Sequence, residues 1–247
     1  MERPRWLDIC DQYMWPVVKA SLARAGSCAG REPRESAAVH SAAIHFAHCL
    51  DFSQRANREG RHAVAISLAR QCVEGLTIVD LGFCGSPDAS SLLGAWIDGR
   101  KSQGEVRKWL ELNLWSNRGT GLWAEPWTEF FGSLAKAVQP YAHYSSELMA
   151  WQPSVESVTW HGDHALLLTQ VGFKNYDAAR ATRLTLLHAI LAWALMRILA
   201  AHNVAAPVPA ETISELGASL GNSEYLEPGV TDWSRQFWPW MWDAVNP

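Results

Sequence analysis

Arginine and histidine recur together at short spacing in this sequence. Arg183 precedes His188 by five positions, Arg197 precedes His202 by five, Arg34 precedes His40 by six and Arg55 precedes His62 by seven. Histidine exchanges protons near neutral pH, while a guanidinium holds phosphate oxygens through charge-assisted hydrogen bonds. Such a pair carries what metal-independent RNA cleavage needs, a proton shuttle beside a cation for the developing charge. On one continuous helix, residues five apart point about 140° away from each other. The pair therefore works at a helix end or across a dimer interface.

Other constellations are weaker. His40, His45 and His48 fall on one expected helix, His45 and His48 on a common face, and His161 and His164 flank a turn. Helical metal sites combine such pairs with carboxylates repeated on separate helices, so hydrogen-bonded core or surface histidines are the expectation, with no metal and no cofactor. The sequence has no Gly-x-Ser-x-Gly elbow and no phosphate loop ending in Lys-Ser or Lys-Thr. Fourteen tryptophans are present, four of them, Trp233, Trp238, Trp240 and Trp242, in the last fifteen residues. Each ring can bury roughly 150 to 250 Å², too much surface to leave in water, so these four are candidates for a ligand or partner site, or for packing back onto the body of the protein.

The elements that must position these groups are helical. Trp6, Ile9, Cys10, Tyr13, Met14, Val17 and Val18 share a face and predict a helix over Arg5 to Ala25, with Pro16 as a bend. Helices follow over Arg34 to Gln54 and Arg61 to Leu81, then Ala89 to Ile97, Glu105 to Leu114, and one opened by Pro126 that carries Trp127, Phe130, Phe131, Leu134 and Val138. From Val155 to Val171 the pattern fits either a hairpin turning at Gly162-Asp163 or a loop with a short helix, and the turn dipeptide favours the hairpin. Tyr176 to His202 is the longest helix, apolar nearly all round from Leu184 to Leu199. Its His188 and Arg197 argue for a helix enclosed by others rather than a membrane span. A weak helix lies near Glu211 to Leu220.

Of the 247 residues, 48% are hydrophobic and 19% charged, against a usual charged share of about 25%, which excludes disorder for most of the chain. A net charge of −4 supplies no long-range attraction for a polyanion. The basic cluster Arg100, Lys101, Arg107, Lys108 and Arg118 is interleaved with Asp98, Glu105 and Glu111, the pattern of a solvated helix face. Five cysteines with no C-x-x-C pair indicate reduced thiols and a cytoplasmic location. The expectation is one all-α domain over residues 1–247, an antiparallel helical bundle with a small hairpin, onto which the Trp-rich tail of about 231–247 packs.

Two stretches carry a family resemblance. Arg61 to Glu74, followed by Trp96 to Arg100 and Glu105 to Leu110, resembles HEPN-like helical domains of bacterial defence and toxin systems, and Leu134 to Pro140 looks like the segment that follows there. The match covers about residues 61–150. It implies a helical bundle, a homodimer or other protein partner, and RNA as substrate, cleaved by an arginine and a histidine separated by four to six residues. Carried onto this chain, that motif falls on Arg183 and His188. Leu184 stands where the family has a polar residue, and Gln139 where a histidine is expected.

Overall fold

A computed structural model describes residues 3–27, 32–143, 145–149, 151–171, 176–204 and 208–237. Apolar spacing decides the first three elements. α1 (Arg5–Gly26) runs unbroken through Pro16 and buries Trp6, Ile9, Cys10, Met14, Val17 and Val18. α2 (Pro33–Arg58) opens on a proline, whose missing N–H costs nothing in a first turn. α3 (His62–Cys84) ends at Gly85, which takes a left-handed φ of 71°. Only Glu59 to Arg61 separate α2 from α3, so the two form an antiparallel hairpin. They approach closely because Gly75 presents no side chain: a Cβ there would lie 3.2 Å from Cβ of Phe46.

Short capped helices follow. α4 (Pro87–Ile97) is capped by the Ser86 hydroxyl, which accepts from the N–H of Ala89. In α5 (Gln103–Asn113), Ser102 and Glu105 cap each other reciprocally, satisfying two amides of the first turn. α6 (Trp127–Val138) buries Trp127, Phe130, Phe131 and Leu134, and α7 (Ser146–Met149) is a single turn. The ambiguous stretch is a hairpin: β1 (Pro153–His161) pairs antiparallel with β2 (His164–Val171), with Trp160 opposite Ala165. Gly162 takes the first turn position with φ of 61°.

α8 (Ala178–Ala201) is the axis of the fold and packs against α1, α2, α3 and α9 (Ala210–Gly221). By length and composition it is apolar enough to cross a membrane, yet 78% of its most apolar window is covered by the other helices. Burial of Leu186, Leu187, Ile190, Leu191 and Leu199 contributes roughly 1.5 to 3 kcal/mol each. α10 (Trp233–Phe237) packs on α6. The architecture is the all-α one expected, with a two-stranded ribbon as its sole sheet among the described residues.

Candidate functional site

Arg183 and His188 do not meet within the chain. α8 is continuous through both, and each is held by a different part of the protein. Arg183 donates from Nη1 to the carbonyl of Gln236 on α10 at 2.9 Å, and burial pushes its pKa down to about 10 against the opposing pull of Glu227. His188 turns instead to α2, where its Nε2 lies 2.6 Å from Ser53 Oγ. Ser53 has one proton and gives it to the carbonyl of Ala65 at 2.7 Å, so its oxygen accepts from His188 Nε2–H. Burial, with a smaller contribution from the Arg58 charge, lowers the His188 pKa to about 3, so the ring is neutral and its lone pair sits on Nδ1. A serine already donating to a backbone carbonyl is not poised as a nucleophile toward this imidazole. A crevice of about 220 Å³ between α1, α2 and α8 reaches His188, Asn57 and Thr185.

His62 has a structural role. His62 Nδ1–H donates to Asn57 Oδ1 at 3.0 Å, and its Nε2 accepts from the N–H of Asp177 at 3.0 Å. Asn57 in turn donates to the carbonyl of Ala181 at 2.8 Å, so these two side chains fix the start of α8. Burial lowers the His62 pKa, in keeping with a neutral ring. His45 contacts Cys49, His48 packs beside Phe52, and His161 and His164 are exposed at the hairpin turn. Among the described residues no three His, Cys, Asp or Glu side chains are grouped to hold a metal ion.

Trp233, a candidate for a binding surface or for packing back onto the body, lies in the core. It is 0% exposed, stacks on Trp123 with ring centroids 5.8 Å apart and meets Phe130 edge-on at 5.6 Å. Trp127 and Trp193 continue this cluster, and Arg197 covers both rings, its guanidinium 4.8 and 5.1 Å from their centroids. Trp238, Trp240 and Trp242 lie outside the described residues.

The arrangement best suited to a ligand lies elsewhere, where α3, α5 and α6 converge around a cavity of about 290 Å³. Arg70 and Glu74 from α3, Gln103, Gly104 and Arg107 from α5, and Lys136 and Gln139 at the end of α6 line it. Arg70 is nearly enclosed, its side chain 12% exposed, and spends both terminal nitrogens on Glu74, at 2.6 and 3.3 Å. Its Nε–H is buried with no acceptor among the described residues. Arg107 stands 3.6 Å from Glu111, and Lys136 has no carboxylate within ion-pairing distance among the described residues. Gln103 and Gly104 are the first two residues of α5, where backbone N–H groups and the helix dipole favour negative charge. One wall is rigid, because Gln103 Nε2 donates both to the carbonyl of Glu74, at 3.1 Å, and to Thr77 Oγ1.

The sequence showed these residues without their meeting. Arg107 sat in a charge pattern that fits a solvated face, and Arg70 with Glu74 in an ordinary i,i+4 pair. Arg70, Glu74, Arg107, Lys136 and Gln139 fall in stretches that carry the family resemblance, whereas Gln103 and Gly104 do not, and Gln139 is the position noted there for lacking a histidine. Comparison with known proteins finds no matching family model, no matching curated protein and no matching solved structure.

Proposed function

We propose that this protein is a ligand-binding module that holds a small anion, a phosphate or carboxylate group, in the cavity between α3, α5 and α6. The observation that carries this reading is the convergence of three cations, Arg70, Arg107 and Lys136, on one cavity, where Glu74 and Glu111 engage only the two arginines among the described residues. Hydrogen bonds from charged donors to an anion are about twice as strong as neutral ones, so an anion gains most where such cations meet. Lys136 adds a cation not matched by a carboxylate among the described residues, and the first turn of α5 adds oriented amides. Cleavage of RNA by Arg183 and His188 has no shared cleft to rest on within one chain, since the first is tied to Gln236 and the second to Ser53.

Titration with inorganic phosphate at low ionic strength tests this directly. The expected result is saturable binding that moves the amide resonances of Gln103 and Gly104, weakens on the order of tenfold in Lys136→Ala or Arg107→Ala, and fades with added salt. Unmoved amides and no saturable heat would remove the proposal.

A further inference from the structure

We infer that the ligand is an amphiphile, an anionic head held in the cation-lined cavity and an apolar body laid along a groove between α2, α3 and α4. The inference rests on the anion-binding reading above and extends it. The groove, about 520 Å³, abuts the cavity at Glu74 and Gln103, which line both. Its floor is apolar, formed by Ala42, Gly75 and Ile78, with Trp96 and Ile97 on the α4 side and Ala38 at its edge. Gly75 matters twice: without a side chain it lets α2 approach α3, and it leaves the floor flat beside Ile78.

Charge and shape then point the same way. Among the described residues the groove's own lining carries two ionisable side chains, Glu74, already held by Arg70, and His45; beyond its α4 end Arg34 and Arg100 are exposed and both paired with Asp98, whereas Lys136 at the cavity end has no carboxylate partner. An apolar body entering the groove therefore places its polar end toward Arg70, Arg107 and Lys136. The carboxylates near that end, Glu74 and Glu111, are each engaged by an arginine, so the residual local charge is positive. Gln103, pinned to Glu74 and Thr77 by its amide, forms a fixed partition against which head and body divide. Ligand pockets typically span about 300 to 1,000 Å³, and cavity and groove together fall inside that range where the cavity alone is at its lower edge.

Two probes separate the head from the body: inorganic phosphate and n-octyl phosphate, the latter below its micellar concentration, each titrated into the full chain. Octyl phosphate is expected to bind at least about tenfold tighter than phosphate, the gain from burying roughly two methylene groups. Ala38→Trp, at the half-buried groove edge, should erase that difference and leave phosphate binding unchanged. Lys136→Ala should weaken both probes. Phosphate binding with no gain from the octyl chain, equal weakening of both probes by Ala38→Trp, or 1-octanol binding as tightly as octyl phosphate would each overturn the amphiphile and leave the anion site standing. Failure of phosphate itself to bind would take both down.

Discussion

Gly82 of α3 faces Val39 of α2 so closely that a Cβ on Gly82 would stand 2.6 Å from Val39 Cγ1. Val39 is fully buried and β-branched, so its methyl groups have no second rotamer to retreat to inside a helix. Gly82→Ala gains roughly 0.5 to 1 kcal/mol of helix propensity but forces the two helices apart, at about 1 to 3 kcal/mol. The variant should therefore unfold at lower urea concentration than the parent. Adding Val39→Ala to it should restore part of the loss, a positive coupling in the double-mutant cycle. Additive effects would mean that the helices have room to part.

A second contact of the same severity is electrostatic. Asp80, 1% exposed near the end of α3, accepts from Trp115 Nε1 at 2.8 Å, from Arg118 at 2.5 Å and from His202 at 2.7 Å. Arg118 has a side chain only 8% exposed, and its Nη1 is buried without an acceptor among the described residues. Removing the carboxylate leaves this cation uncompensated, so Asp80→Ala should cost about 3 to 5 kcal/mol in denaturant unfolding. Asp80→Asn, which retains acceptor geometry for one donor, should cost less. A loss below about 1 kcal/mol for Asp80→Ala would show that water reaches Arg118 freely.

These contacts mark the limit of what could be read from the chain. Long helices were legible because burial imposes a three- and four-residue period, as at Trp6, Ile9, Cys10 and Met14, and because Gly85 carries an end signal. Gly162-Asp163 likewise placed the hairpin turn. The expected helix over Arg61 to Leu81 stopped short of Gly82, which lies inside α3 and serves a close approach that only the partner helix defines. For Trp233 the sequence favoured packing onto the body but left a binding surface open, since apolar area does not say what covers it. Arg70, Gln103, Arg107 and Lys136 converge from three helices, and no local pattern records a meeting of residues so far apart in sequence.

Proton linkage at His188 gives a prediction in pH. Its folded pKa, about 3, lies below the ordinary 6.5, because burial disfavours the imidazolium. Falling pH therefore protonates the unfolded chain first, so this contribution to stability is complete above about pH 6.5 and is lost between there and about pH 3, at up to roughly 1.4 kcal/mol per pH unit. The depressed pKa of His62 acts in the same direction. His188→Gln retains a donor for Ser53 but does not titrate. Its urea midpoint should fall less steeply than the parent's from pH 7 to pH 4, and nitrogen NMR of the parent should show the proton on Nε2. A parent-like slope in the variant would place the titration elsewhere.

Trp233 offers the last prediction, because it separates packing from recognition. The ring is wholly enclosed by Trp123 and Phe130 and anchors α10 on α6, the helix that also supplies Lys136 to the anion cavity. Trp233→Ala removes a large buried ring and should cost about 3 to 5 kcal/mol. Trp233→Phe, which preserves an aromatic edge for Phe130, should cost markedly less. At temperatures where Trp233→Phe remains folded, phosphate affinity should match the parent, because the ring lines no part of the cavity. A variant that keeps its stability and loses phosphate would put Trp233 back among the binding residues and move the ligand toward the tail.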